Sequence, residues 1–182
     1  MTQPFNSSDR LEIHELVAGY AWSLDTGDDA GFVACFCSDG ELVWDVFETE
    51  GRWRGAAALR RFIAWFRQRP ESAGRQHHVS NLIVTPTAEG ATGRCYVAVA
   101  LRTDTGPHLL HVMGYYEDEY RREDGRWRIA RRVIRDWCGP VLSRIAGQDG
   151  ARSVRPRPPV LDGLWATQQE PGHSSGAKPG KD

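Results

Sequence analysis

Four β-rich stretches, separated by tight turns, fill residues 76–137 of this 182-residue chain. They constrain the fold more than any other feature. Gln76–Thr85 leads to the turn Ala88-Glu89-Gly90, and Thr92–Arg102 leads to Thr105-Gly106-Pro107. His108–Arg121 leads to Glu123-Asp124-Gly125, and Arg126–Trp137 closes the series. Asp-Gly is a strong hairpin signal, because both central residues of the favoured two-residue turn need positive φ. Parallel neighbours need crossovers of a dozen residues or more, so strands joined this closely form an antiparallel meander.

The residues before the meander read differently. Ile13, Leu16, Val17, Tyr20 and Leu24 recur at helical spacing, behind a capping box predicted from Asp9 and Glu12. Thr26-Gly27 should end this helix. Asp28 or Asp29 should cap a second helix that buries Phe32, Cys35 and Phe36, before a turn at Ser38-Asp39-Gly40. Glu41–Phe47 and Gly51–Arg54 read as a short hairpin. Ala56–Arg67 reads as a third helix with Leu59, Phe62, Ile63 and Phe66 on one face, and Pro70–Gly74 as a loop. Helices first and strands afterwards predict an α+β fold, with the helices packed on one face of a curved antiparallel sheet.

Residues 1–147 read as one domain, with the first seven frayed. Residues 148–182 read as a Pro- and Gly-rich C-terminal tail, partly disordered, whose apolar stretch Val160–Trp165 can dock on the domain or on a neighbouring subunit. A hydrophobic fraction of 40%, with seven Trp and six Phe, is enough for a core. The net charge of −1 offers no basic surface for nucleic acid. With no long apolar run or signal segment, the expectation is a cytoplasmic protein without a membrane partner. Cys35, Cys37, Cys95 and Cys138 lack zinc-site spacing and read as buried, reduced thiols. No phosphate-cradling Gly loop, nucleophile elbow or His-Glu-x-x-His motif occurs, so no metal and no cofactor is expected.

Asp25 is the residue that asks for an explanation. It falls at a helix C-terminus, where the macrodipole disfavours an anion, and at the end of an apolar stripe, where burial disfavours it further. It therefore needs a partner. His77 and His78 open the first long strand and face opposite ways, and their rows do not distinguish which one points inward. A His bound to a carboxylate through one ring nitrogen keeps the other as a base near neutral pH. The plainer alternative is that Asp25 caps the turn and both His are ordinary strand residues. Tyr20 lies in the apolar stripe as a core aromatic or as a donor to a substrate oxygen. Trp22, Trp44, Trp65 and Trp137 can line a pocket or fill the core. Arg135, among apolar neighbours on the last strand, can bind a polar substrate group or form a surface ion pair, and His111 can join the pocket.

These motifs, in this order, resemble the SnoaL-like branch of the nuclear-transport-factor-2-like superfamily. The matching pieces are Ile13-x-x-Leu16 to Tyr20, Leu24-Asp25-Thr26-Gly27-Asp28, Phe36-x-x-Asp39-Gly40, Gly51–Gly55, His77-x-x-x-Asn81 and Tyr120-x-x-x-Asp124-Gly125-Arg126-Trp127-Arg128-Ile129. The resemblance covers roughly residues 8–140 and implies a cone-shaped α+β barrel. It is similar in motif to cofactor-free members such as scytalone dehydratase, bile acid 7α-dehydratase and a dehydrochlorinase. Their pattern implies that Asp25 and His77 act as a proton-abstracting dyad, with Tyr20 and Arg135 polarising a substrate oxygen. It favours His77 over His78 as the base. Trp44, Trp65, Asn81, His78, His111 and Tyr115 are then candidate substrate contacts. A second His of the scytalone enzymes is replaced here by the neighbourhood Val99-Ala100-Leu101.

The expected function is a cofactor-independent dehydratase, lyase or isomerase acting on a small, mostly apolar molecule of polyketide, steroid or terpenoid type. A homodimer or homotrimer is expected. The alternative is a non-catalytic accessory subunit resembling the β subunit of ring-hydroxylating dioxygenases, or a small-ligand binding protein. The two differ in the pocket: an enzyme keeps the dyad at an open apolar cavity, while an accessory subunit fills its cone.

Overall fold

The computed structural model describes residues 5–69, 73–103, 105–137 and 155–168. Helix α1 (Ser7–Thr26) starts at Asn6, whose side-chain oxygen accepts from the Ser8 and Asp9 amides at 2.7 and 3.3 Å. Asp9 reaches back to the Asn6 amide at 2.7 Å. The capping box is thus Asn6 with Asp9, one turn earlier than the predicted Asp9–Glu12 pair. Asp9 cannot be the cap itself, because it is buried and accepts from Trp127 Nε1 at 2.8 Å and from Arg122. Phe5 packs edge-on against Trp127, so the chain is held from residue 5 rather than frayed to residue 7. Gly27 ends α1 with φ 87°, as predicted from its freedom to adopt positive φ.

Asp28 caps α2 (Asp29–Ala34) through the Gly31 amide at 2.8 Å. This helix is shorter than expected. Phe36 opens strand β1 (Phe36–Asp45), so Ser38-Asp39-Gly40 lies within a strand and not in a turn. The turn-like composition marks a register shift between Phe36 and Glu41 instead. Strand β2 (Gly51–Arg54) pairs antiparallel with β1, and α3 (Gly55–Arg67) buries Ala58, Leu59, Phe62 and Ile63.

The four long strands are β3 (Arg75–Pro86), β4 (Ala91–Leu101), β5 (Leu109–Glu123) and β6 (Arg126–Asp136). The β5–β6 turn has Asp124 and Gly125 at φ 51° and 77°, the geometry that Asp-Gly predicts. The sheet order is β2-β1-β6-β5-β4-β3. The meander is antiparallel as expected, but β1 lies parallel to β6, which makes the six-stranded sheet mixed. The sheet is open, not closed into a barrel, and the helices α1–α3 pack on one side of it. Their shared core includes Ile13, Phe32, Leu42, Trp53, Leu59 and Ile129, all fully buried. The thiols of Cys35, Cys37 and Cys95 are free and buried, while Cys138 lies outside the described residues.

Residues 155–168 dock on the domain, one of the two placements expected for the stretch Val160–Trp165. They form a 3-10 turn (Pro159–Leu161) and α4 (Asp162–Ala166), with Leu164 and Trp165 buried in the domain's aromatic core. The rest of the predicted tail lies outside the described residues. Among the described residues no helix is long and apolar enough to cross a membrane.

Candidate active site

Asp25 lies in the last turn of α1 and its carboxylate meets His77 at two points. Oδ2 accepts from the His77 backbone amide at 2.7 Å, and Oδ1 lies 2.6 Å from His77 Nδ1. Both side chains are 15% exposed. A carboxylate can only accept here, so Nδ1 carries the hydrogen and Nε2 keeps a free lone pair. The dipole of α1 opposes this anion, and α1 has no basic residue in its last turn. Arg67 of α3 supplies the compensation. Its Nη1 and Nη2 donate to the Leu24 and Ser23 carbonyls at 2.8 and 3.0 Å, and its Nε donates to Asp29 at 2.7 Å. Sequence reading did not assign Arg67 this role, since the contact joins two helices about 40 residues apart.

The pair borders a cavity of about 530 Å³. Tyr20, Trp44, Trp65 and His111 line it as expected, together with apolar positions such as Phe62 and Val97. His77 and Asp25 also border a second, more open depression of about 510 Å³, which holds Trp22, His78 and His108. His78 is exposed and faces this depression, so strand alternation selects His77 for the main cavity.

With His78, two further expected contacts, Asn81 and Tyr115, lie away from the main cavity, and Arg135 takes the ion-pair alternative. Asn81 is exposed and does not line the cavity; its φ of 56° sits at a register shift between Ser80 and Ile83. Tyr115 points to the opposite face, edge-on to Trp137, and its neighbour Tyr116 lines the cavity instead. Arg135 borders the cavity, but its guanidinium is held by Asp45 and Glu117, and it pairs across the sheet with Tyr115 on the outer side. Unbroken alternation from Trp127 and Ile129 would turn Arg135 inward. The extra residue Ala130, at the shift between Glu119 and Tyr120, reverses the parity.

The inward arginine is Arg132. It is fully buried, and its Nε and Nη2 donate to the Asp118 oxygens at 2.8 and 2.7 Å. Its Cζ lies 4.1 Å from the Tyr20 ring centre and 4.3 Å from that of Tyr116. Burial disfavours this charge, but Asp118 outweighs the effect and holds the guanidinium protonated. Nη1 has no hydrogen-bond partner among the described residues. Burial pushes the Tyr20 hydroxyl up to about 12, against the opposing pull of Arg132, so Tyr20 remains a proton donor at neutral pH. Burial, and then the Arg75 charge, hold His111 below the ordinary imidazole value, which keeps it neutral. Burial also pushes the Cys35 and Cys95 thiols up to about 11 and 12, so neither is an activated nucleophile. Among the described residues no three His, Cys, Asp or Glu side chains converge on a metal position.

The arrangement can therefore remove a proton at His77 Nε2 and donate a hydrogen bond from Tyr20 inside an apolar cavity. Comparison with known proteins agrees on the architecture. Rv3472, a function-unknown protein from Mycobacterium tuberculosis, aligns at 26% identity and TM-score 0.65, covering 88% of this chain and 89% of that one. An NTF2-like protein with a cystatin-like fold from Novosphingobium aromaticivorans aligns at 29% identity and TM-score 0.66, covering 78% and 90%. A candidate scytalone dehydratase from the same organism aligns at 22% identity and TM-score 0.57, covering 72% and 88%, which shows the fold alone. No curated protein matches the chain. The SnoaL-like domain profile matches residues 6–133, and the chain belongs to the SnoaL-like domain family.

Proposed function

We propose that the protein is a cofactor-independent lyase of the dehydratase type, or an isomerase, acting on a small, mostly apolar molecule. The reading rests on the Asp25–His77 contact at the edge of an open, aromatic-lined cavity. His77 Nε2 takes a proton from a substrate carbon activated by a neighbouring carbonyl. Asp25 orients the ring and stabilises the imidazolium that forms. Tyr20 donates a hydrogen bond to the oxygen on which negative charge develops, and the buried Arg132 behind its ring favours that charge. In elimination the electron pair then expels a leaving group, which takes the proton from His77. In isomerisation the proton returns to another carbon. An accessory subunit with a filled cone would have no use for this empty volume. The same reading expects a homodimer or homotrimer, with Tyr96, Leu110 and Met113, exposed on the sheet, as its covered surface.

The experiment is turnover of an enolisable substrate by His77→Gln and Asp25→Asn. Each variant is expected to fold and to lose about two to four powers of ten in kcat/KM. Asp25→Asn acts by the tautomer: an amide nitrogen facing Nδ1 moves the ring proton to Nε2, where the base is needed. Full turnover in either folded variant ends the proposal.

A further inference from the structure

The family profile ends at residue 133, yet part of the cavity wall lies beyond it. Arg155, Pro158, Val160 and Leu161 all border the cavity. This strap, residues 155–161, is fastened at both ends. At its start, Arg155 pairs with Phe47, its carbonyl accepts from the Glu48 amide at 2.9 Å, and its guanidinium meets Asp136 at 2.7 Å. At its end, α4 buries Leu164 and sets the Trp165 ring 5.6–5.7 Å from those of Trp44, Phe47 and Trp53. Trp165 Nε1 donates to the Thr49 carbonyl at 3.2 Å, and Trp53 Nε1 donates to Thr167 Oγ1 at 2.9 Å. Arg61 Nε donates to the Thr167 carbonyl at 2.9 Å.

Between these fastenings Val160 is 55% exposed and Leu161 half-buried. Apolar surface held at a cavity wall leaves water when an apolar molecule fills the cavity. The position of the strap also sets a scale. His77 is on the edge strand β3, and Asp136, which holds Arg155, is on β6. Three strand spacings separate them, about 14 Å measured along the sheet. The strap and His77 therefore belong to different walls of the cavity.

We infer that the strap is the specificity element of the cavity. Val160 and Leu161 form the wall that limits the length of a mostly apolar substrate whose reacting carbon lies at His77. This rests on the cavity being a site for a small apolar molecule, as proposed above. Binding tests it separately from turnover. The probes are 4-alkylphenols from methyl to octyl, titrated into the full chain by quenching of tryptophan emission. In the wild type, affinity is expected to rise about fourfold per buried methylene and then stop at a fixed chain length. Leu161→Ala moves the stop to a longer chain, and Val160→Trp, at an exposed position that does not endanger folding, moves it to a shorter one. His77→Gln removes turnover and keeps the wild-type stop. If the phenols bind but the stop is the same in both strap variants, the inference fails while the functional proposal stands. If no phenol binds the wild type, the apolar-substrate reading falls and this inference falls with it.

Discussion

At Asn81 the chain takes a left-handed conformation, φ 56°, on an exposed part of β3. The Asn of the His-x-x-x-Asn spacing therefore marks backbone geometry four residues from His77, away from the cavity that His77 borders. Asn is among the few residues that enter this region readily, and a β-branched residue does so poorly. Asn81→Gly is expected to leave both urea midpoint and substrate affinity unchanged. Asn81→Val should lower stability by about 1–3 kcal/mol in the same urea titration, without a selective effect on ligand binding. The need of Asp25 for a partner was legible because an anion at a helix end demands one, while the choice of His77 over His78 came from the family resemblance; His77 meets the demand twice, through ring and backbone. Arg132 was not legible. The side on which a strand residue lies depends on counting by two, and one extra residue at Ala130 inverts the count for everything after it. A bulge of this kind has no strong signature in a stretch reading Ile-Ala-Arg-Arg-Val.

The strands β5 and β6 carry a buried polar assembly. Arg132 and Asp118 are both fully enclosed, and the Tyr120 hydroxyl donates to Asp118 Oδ2 at 2.5 Å. Removing one member leaves the other charge without its partner. Arg132→Met is expected to cost about 3–5 kcal/mol in urea unfolding, and adding Asp118→Leu should recover a large part of that loss. At the other end of the same hairpin, Asp9 joins α1 to the sheet. The Trp127 indole and then Arg122 hold its carboxyl below the usual carboxylate range. A folded-state value below the unfolded one stabilises the protein above the unfolded pKa, and the stabilisation disappears as pH falls through the folded value. Trp127→Phe should therefore move the acid-unfolding midpoint to higher pH, read by circular dichroism across a pH titration. Element types were largely readable from periodicity and turn chemistry. The α2–β1 boundary was not, because Ser-Asp-Gly serves a strand irregularity as well as it serves a turn.

Across the whole molecule, part of the segment beyond Gly147 packs on the domain, as its apolar stretch Val160–Trp165 allowed. Composition around Arg155-Pro156-Arg157-Pro158-Pro159 suggests disorder, but two residues a few positions on, Leu164 and Trp165, bury enough apolar surface to hold the segment in place. Leu164→Ala is expected to cost about 2–5 kcal/mol, seen as a lower melting temperature in calorimetry, which a free tail would not show. The parallel alignment of β1 with β6 has a further consequence, for the order in which the chain can acquire structure. Paired residues of the two strands lie about 90 positions apart in sequence, and β6 occupies the inner edge of β1. As the chain leaves the ribosome, β1 can find only β2, while the meander from β3 onward assembles by local hairpins. The two halves join when β6 emerges, and the wall carrying Arg132 is built in that same event. Until then β1 presents an unpaired edge, which makes the nascent chain most open to wrong pairing just before its cavity exists.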